Sequence, residues 1–320
     1  MSFNQIRQAF EFIGGLGMFL YGMKVMSDGL QRAAGNRMKR LFSFITKNPL
    51  SGILSGLLLT SVIQSSSAAT VMVVGFVNAG FLSLSQSVGI IMGANIGTTI
   101  TAWMVSMREW AQVLRPEFFA PVLLGIGAFL LLLTQKKRPQ TVGSVLVGFG
   151  LLFIGLSFMS GSIAPYQDSP VFAKLFTFLG KNPLLGLLVG MAVTALVQSS
   201  SASMGILQTL AMNGIVTFRC AVYLTLGQNI GTCMTALLAS LTAGQTARQA
   251  ALIHLLFNVI GTACFGTAMF FLFAADPHWA GAAISGTQIS VFHTVFNLGT
   301  TLLLFPFTEK LVKLSEKLIR

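Results

Sequence analysis

Three short motifs occur twice in this chain, in the same order and always at a sequence offset of 134. They are Lys-Asn-Pro-Leu at 47–50 and 181–184, Gln-Ser-Ser-Ser-Ala at 64–68 and 198–202, and Asn-Ile-Gly-Thr at 95–98 and 229–232. When 47–99 is aligned with 181–233 without a gap, 20 of the 53 positions are identical. A repeat of this length predicts two copies of one structural unit. We assign the first copy to residues 1–135 and the second to 136–273, and treat 274–320 as an addition.

Charged residues are scarce throughout the chain. Lys and Arg number 20 and Asp and Glu number 8 among 320 residues, whereas a soluble protein carries roughly a quarter of its residues as charged ones. Charge is absent from six long stretches: 49–107, 118–134, 140–167, 183–218, 220–247 and 279–308. Only helices and closed barrels satisfy the backbone in lipid, and ten-residue alternating strands are absent. The sequence therefore predicts an all-α, polytopic membrane protein.

The basic residues predict how the two copies are oriented. Residues 31–47 hold five Lys or Arg and no acid, whereas the equivalent 161–181 holds two Lys and one Asp. Because cytoplasmic loops are enriched in Lys and Arg, only the first stretch reads as cytoplasmic, and the second copy is predicted to be inverted. The net charge of +12 is explained by the same bias, so no nucleic-acid partner is expected.

The resulting topology has three crossings and one re-entrant hairpin in each repeat. The hairpins are predicted at about 48–82 and 182–215, each with its Gln-Ser-Ser-Ser at the tip. Crossings are predicted at 12–30, 85–107, 118–134, 142–160, 220–241, 249–273 and 285–306. The last is the additional C-terminal helix, followed by a basic cytoplasmic tail, and the N-terminus is predicted outside a cell membrane. The alternative is that both hairpins are full crossings.

The polar blocks 64–67 and 198–201 interrupt apolar segments and are candidate binding elements. A helix broken inside the membrane presents free N–H groups at the start of its second half, and hydroxyls add further donors. Two such tips facing each other would surround a small tetrahedral oxyanion. The simpler explanation is that Ser residues only bond neighbouring helices together, and duplication of the whole block argues against it.

The Asn-Ile-Gly-Thr elements are candidates for a cation site. Asn95, Thr98, Asn229 and Thr232 offer neutral oxygens beside glycines, although close helix packing would also explain these residues. The acids lie at segment ends or in loops, which leaves no proton relay, and no Lys or Arg is expected near either tip. Charge compensation is thus expected from helix dipoles and bound sodium, and no cofactor is predicted.

Two histidines occur in similar pieces, His-Leu-Leu-Phe-Asn at 254–258 and His-Thr-Val-Phe-Asn at 293–297. His254 and Asn258 share one helix face, because they are four residues apart, and so do His293 and Asn297. A histidine in an apolar helix is more often a hydrogen-bonded core residue than a ligand. We therefore assign His254, Asn258 and Asn297 a supporting role beside the site.

The paired Gln-Ser-Ser-Ser-Ala and Asn-Ile-Gly-Thr motifs, with the His-x-x-Phe-Asn at 254–258, resemble the type II sodium-phosphate cotransporter family over about residues 12–306. The resemblance implies sodium-driven import of inorganic phosphate by alternating access. It implies phosphate-binding roles for Ser65, Ser66, Ser67, Ser199, Ser200 and Ser201. It implies sodium-binding roles for Gln64, Gln198, Gln228, Thr232 and Thr235.

This chain departs from the family pattern in three places. Members often have Ser at the positions of Ala94 and Gln228, and animal members carry His-Asp-x-Phe-Asn where this chain has Ala120 and Pro121. Many bacterial relatives also append a cytoplasmic regulatory domain, which we do not expect here. Two other functions stay open: an uncoupled oxyanion transporter or channel, and an intramembrane serine hydrolase, which the absence of a Gly-x-Ser-x-Gly turn disfavours.

Overall fold

A computed structural model describes residues 3–34, 49–110 and 116–319, and this part of the chain is built almost entirely from helices. The basic positions 37–47 of the predicted cytoplasmic stretch lie outside the described residues. The helices are α1 (Phe3–Ala34), α2 (Pro49–Ile63), α3 (Ser66–Asn78), α4 (Leu84–Ser106), α5 (Pro116–Leu133), α6 (Lys137–Ile163), α7 (Pro170–Lys181), α8 (Pro183–Val197), α9 (Ser200–Met212), α10 (Phe218–Ser240), α11 (Gln245–Ala275), α12 (Pro277–Gly281), α13 (Gly286–Leu304) and α14 (Thr308–Leu318). The all-α prediction is confirmed.

Five helical segments of the described chain are long and apolar enough to cross a membrane. They are Phe3–Ala34, Leu84–Glu109, Lys137–Tyr166, Gln245–Ala275 and Gly286–Leu318. A sixth candidate is the pair α7 and α8, which is bent by 109° at its break. Helix α10 coincides with the predicted crossing at 220–241 but is not among the five, and most of its residues are buried against protein. A helix covered by its neighbours tolerates more polar residues than one that faces lipid.

Each segment that was predicted as a hairpin contains two helices, separated by a break at its Gln-Ser-Ser-Ser block. In the first, α2 ends at Ile63 and α3 begins at Ser66; in the second, α8 ends at Val197 and α9 begins at Ser200. After each second helix the chain turns at a glycine with positive φ, Gly80 at 74° and Gly214 at 67°. The duplicated sequence therefore takes the same local structure twice.

The first helix of each hairpin packs closely on the long helix that follows the hairpin. A Cβ on Gly93 of α4 would lie 1.9 Å from the carbonyl oxygen of Ile53 in α2. The equivalent distance from Gly227 of α10 to the carbonyl oxygen of Leu187 in α8 is 2.0 Å. Glycine is required at these positions because the two backbones touch. This contact fixes the depth of each hairpin tip along its partner helix.

Helices α1 and α6 pack antiparallel through glycines. Gly15 lies against the backbone of Gly155 and Met159, and Gly22 lies against Gly148 and Leu152. Gly15 and Gly22 match Gly148 and Gly155 at an offset of 133 in the sequence. Gly15 therefore contacts Gly155, which is the counterpart of Gly22, and Gly22 contacts Gly148, which is the counterpart of Gly15. This reciprocal pattern is expected for matching elements that are related by a two-fold axis.

The second helices of the two hairpins, α3 and α9, both pack between α4 and α10. Gln208 of α9 reaches across this packing and donates its amide to the carbonyl oxygens of Ala102 in α4 and Gly286 in α13, both at 3.0 Å. Because both second helices share the same two neighbours, the break at the start of each is brought toward the other.

Candidate anion cavity and cation pocket

Each hairpin is broken at a glutamine in the left-handed backbone region. Gln64 has a φ of 54° and Gln198 a φ of 53°, and they are the only non-glycine residues of the described chain with positive φ. The next residue caps the second helix: the Ser65 hydroxyl accepts the Ala68 N–H at 3.1 Å, and the Ser199 hydroxyl accepts the Ala202 N–H at 3.2 Å. A serine cap satisfies only one of the four free N–H groups of a helix start. Both breaks therefore present unpaired donors.

The two tips share one cavity of about 230 Å³. Its wall consists of Ile63, Gln64, Ser65 and Ser67 from the first tip, Gln198, Ser199, Ser200 and Ser201 from the second, and Leu20, Met23, Lys24 and Ser27 from α1. The volume is below the roughly 300–1,000 Å³ of sites for drug-sized molecules. The cavity therefore suits a small, strongly hydrogen-bonding ligand.

Ser66 is the one predicted anion-binding serine that does not border this cavity. Its side chain is 3% exposed, and its hydroxyl oxygen has no hydrogen-bond partner within the described protein. Its counterpart Ser200 borders the cavity. The two tips are therefore not equivalent in detail.

The expectation that no Lys or Arg lies near either tip is wrong, because Lys24 of α1 lines the cavity. It lies far before the first tip in sequence, and helix packing brings it there. Ser27, one turn later, donates a hydrogen bond to the Ile63 carbonyl at the end of α2. This bond attaches α1 to the first tip. Neither Lys24 nor Ser27 belongs to a motif that is repeated in the two halves of the sequence.

A second, much smaller pocket of about 10 Å³ adjoins the cavity. It is lined by Asn95, Thr98, Ser200, Met204, Gln228, Asn229, Thr232 and His293. Ser200 borders both spaces, and the volume is close to that of one water-sized sphere. Five of the eight predicted sodium-binding residues are brought together here, and a single dehydrated ion would fit.

Amide oxygens at this pocket are held in place by neighbouring side chains. Asn258 donates to Asn95 Oδ1 at 3.3 Å, and His293 Nε2 lies 3.2 Å from Asn229 Oδ1. Gln228 Oε1 is buried without a hydrogen-bond partner in the described protein. The pocket thus offers neutral oxygens and has no carboxylate among its lining residues.

The other three predicted sodium-binding residues lie around the tips. Gln64 and Gln198 line the larger cavity, and the Thr235 hydroxyl donates to Ser67 Oγ at 3.3 Å. Thr101 was missed by sequence reasoning, although it matches Thr235 at the repeat offset of 134. Its hydroxyl donates to Gln64 Oε1 at 3.1 Å. The repeat offset is the signal that would have identified it.

The supporting residues form a buried layer behind the pocket. Asn258 contacts Asn95 as described, and Asn297 donates its amide to the His293 carbonyl at 2.9 Å. Neither ring nitrogen of His254 has a hydrogen-bond partner in the described protein, nor do the side-chain oxygens of Asn258 and Asn297. The histidine that borders the pocket is His293, which the sequence did not favour as a site residue.

A model of the Na+/Pi-cotransporter family matches residues 18–161 and 169–275, which include both tips and both Asn-Ile-Gly-Thr elements. The chain belongs to this family. It is 33% identical to the uncharacterized protein YqeW of Bacillus subtilis over 302 residues, covering 94% of this chain and 95% of that protein. The resemblance inferred from the paired motifs is thereby confirmed.

Two further relatives are named as phosphate transporters. The chain is 26% identical to the putative inorganic phosphate export protein YjbB of Escherichia coli over 97% of its length, and spans 55% of that protein. It is 25% identical to sodium-dependent phosphate transport protein 2A of Rattus norvegicus over 78% of its length, spanning 59% of that protein. No solved structure matches the chain. Family and relatives together support phosphate transport by a multi-pass membrane protein.

The left-handed backbone conformation of Gln198 predicts that two substitutions at this position differ in stability. Gln198→Val is expected to lower the free energy of unfolding by about 1–2 kcal/mol relative to Gln198→Asn, because β-branched residues tolerate positive φ poorly and Asn tolerates it well. Gln198 is exposed, so lost packing contributes little. Thermal unfolding of the two variants in detergent measures the difference, and equal stability would show that the left-handed backbone is not retained.

Proposed function

We propose that the protein is a secondary active transporter that imports inorganic phosphate together with sodium ions. The observation that carries this proposal is the single cavity bordered by both Gln-Ser-Ser-Ser tips. Two helix starts and five serines border it, and backbone N–H groups and hydroxyls of this kind can donate hydrogen bonds to the oxygens of a tetrahedral anion. No carboxylate is among the lining residues to repel an anion.

We propose that Ser65, Ser67, Ser199, Ser200 and Ser201 hold the phosphate. Ser66, which the resemblance also implies, is left out because it does not border the cavity. We propose that Asn95, Thr98, Gln228, Asn229 and Thr232 hold one sodium ion in the small pocket, with Gln64, Gln198 and Thr235 contributing near the tips. Ser200 borders both spaces, which supports coupling between anion and cation. A cation beside the phosphate offsets the cost of placing anionic charge inside the membrane.

The two repeats are proposed to have inverted topology, with the anion bound at their interface. The antiparallel packing of α1 against α6, with matching glycines in contact, supports this arrangement. Inverted repeats with broken helices near the membrane midplane are typical of transporters that work by alternating access. We place the protein in the cell membrane, with the N-terminus outside and the C-terminus in the cytoplasm.

We propose that the protein is not an enzyme. Serine nucleophiles require a base within hydrogen-bond reach, and His293, although it borders the small pocket, bonds to Asn229. Within the described residues, no serine of either tip has a hydrogen bond to a histidine.

Export is the second candidate, because the Escherichia coli relative is named a putative phosphate export protein. A coupled carrier moves its substrate down the combined gradients of anion and cation, so one site supports either direction. If sodium and phosphate move in the same direction, a cell that keeps its internal sodium concentration low will import phosphate.

Reconstitution into liposomes tests the function. We expect labelled phosphate to accumulate above its external concentration when sodium is higher outside than inside, and accumulation to stop when potassium replaces sodium. Phosphate entry that equilibrates without accumulation, and does so equally in potassium, would indicate an uncoupled channel. Efflux of preloaded phosphate driven only by an inward sodium gradient would favour export by exchange.

A further inference from the structure

Lys24 occupies an unusual position for a lysine in this protein. It lies within the predicted crossing at 12–30, six residues before the end of that crossing, which corresponds to roughly 9 Å along a helix. The hydrocarbon core of a bilayer is about 30 Å thick, so a crossing with these bounds places Lys24 inside the membrane. Leu20, Met23 and Ser27, at helical spacing around it, line the same cavity.

The ammonium group has no carboxylate partner in the described chain. An ion pair of α1 joins Arg7 to Glu11, near the start of the helix, and does not involve Lys24. Asp28 follows Lys24 by one turn but is not among the residues that line the cavity. A charged side chain at this depth costs free energy unless it faces water or a counter-charge. Lys24 is exposed, and the cavity that it lines is also lined by five serines of the two tips.

The positive charge is supplied by one repeat only. The offset of 133 that matches the glycines of α1 and α6 pairs Lys24 with Ser157. The Ser157 hydroxyl donates to the Phe153 carbonyl of its own helix at 3.1 Å. The matching position of the second repeat is thus occupied by an uncharged residue. The repeated architecture therefore does not require a lysine at position 24.

We propose that Lys24 is an anion-binding residue whose ammonium group is the fixed counter-charge of the transported oxyanion. This inference rests on the proposed function and extends it. With one charge neutralised by the protein, a doubly charged tetrahedral oxyanion needs fewer co-bound cations. The same charge selects doubly charged over singly charged oxyanions at the cavity.

Kinetics of charge-changing variants test this role. Lys24→Gln is expected to raise the KM for phosphate at least about tenfold, since it removes a charge-assisted contact. Lys24→Arg is expected to stay close to wild type, because it keeps the charge. Lys136→Gln, which removes an exposed lysine before α6, is the matched control and is expected to leave KM unchanged. An unchanged KM for Lys24→Gln would overturn the proposal while leaving the proposed function standing.

Chemical rescue separates charge from shape. In a Cys264→Ser background, which removes the exposed cysteine, Lys24→Cys is expected to transport poorly until an aminoethyl thiosulfonate restores the ammonium group. A neutral reagent of equal size is expected not to rescue, and phosphate is expected to slow modification. Equal rescue by the neutral reagent would overturn the proposal. Failure of the wild-type protein to transport phosphate would overturn the proposed function and this inference together.

Discussion

Replacing Ser200 by alanine is expected to lower the affinity for phosphate about 10- to 100-fold. The change removes the hydroxyl of a residue that lines both the proposed anion cavity and the small oxygen-lined pocket. A hydrogen bond to a charged group contributes about 1.5–3 kcal/mol, which corresponds to this range of affinity. Because Ser200 borders both spaces, the proposed sodium site loses a neighbouring oxygen as well, and the sodium concentration for half-maximal transport is expected to rise.

Ser66→Ala is the matched control for this experiment. Ser66 has the equivalent place in the first tip, but it is buried and lies outside the cavity wall. Transport by Ser66→Ala is expected to stay near the wild-type level, measured as sodium-driven phosphate uptake into liposomes. Equal loss in both variants would contradict the assignment of the cavity, and so would wild-type uptake by Ser200→Ala.

Gly227→Ala is expected to lower the free energy of unfolding by about 3 kcal/mol, at the upper end of the usual cost of overpacking. The new Cβ would lie 2.0 Å from the carbonyl oxygen of Leu187, and backbone cannot move aside as a flexible side chain can. Helices α8 and α10 must separate, so the second tip shifts along its partner and transport is lost as well. The midpoint of thermal unfolding in detergent measures the stability change.

Gly75→Ala provides the control for the glycine substitution. A Cβ at Gly75, within α3, meets nothing within 4 Å. Alanine is favoured over glycine in a helix interior by about 0.5–1 kcal/mol, so this variant is expected to be as stable as wild type or slightly more stable. If Gly227→Ala unfolded at the same temperature as Gly75→Ala, close backbone packing would not explain the matching glycines of the two repeats.

Sequence reasoning predicted the positions of both helix breaks, at the Gln-Ser-Ser-Ser blocks, within a few residues. A block of four polar residues inside an apolar segment marks the place where a helix must end, and its recurrence at the repeat offset gives the second break. Close helix packing was the alternative explanation of the Gly-x-Asn-Ile-Gly-Thr elements, and Gly93 and Gly227 do pack in this way. These features are local, so the sequence carries them directly.

Contacts between distant segments were not predictable in the same way. Lys24 lies far from either tip in sequence, and only the rotation and depth of α1 place it in the cavity wall. The burial of Ser66 depends on the orientation of α3, since one residue of helix turns a side chain by about 100°. The bend of 109° between α7 and α8 falls at a Lys-Asn-Pro sequence, which predicts a helix end but not an angle.

The unequal exposure of the two glutamines has a consequence for the transport cycle. Gln64 is 7% exposed, whereas Gln198 is exposed, although both have the same backbone conformation. If the repeats are related by inversion, exchanging their conformations would bury Gln198, uncover Gln64 and turn the mouth of the cavity toward the opposite side of the bilayer. Each repeat would then show, in this one structure, the conformation that the other repeat adopts in the opposite state of the transport cycle.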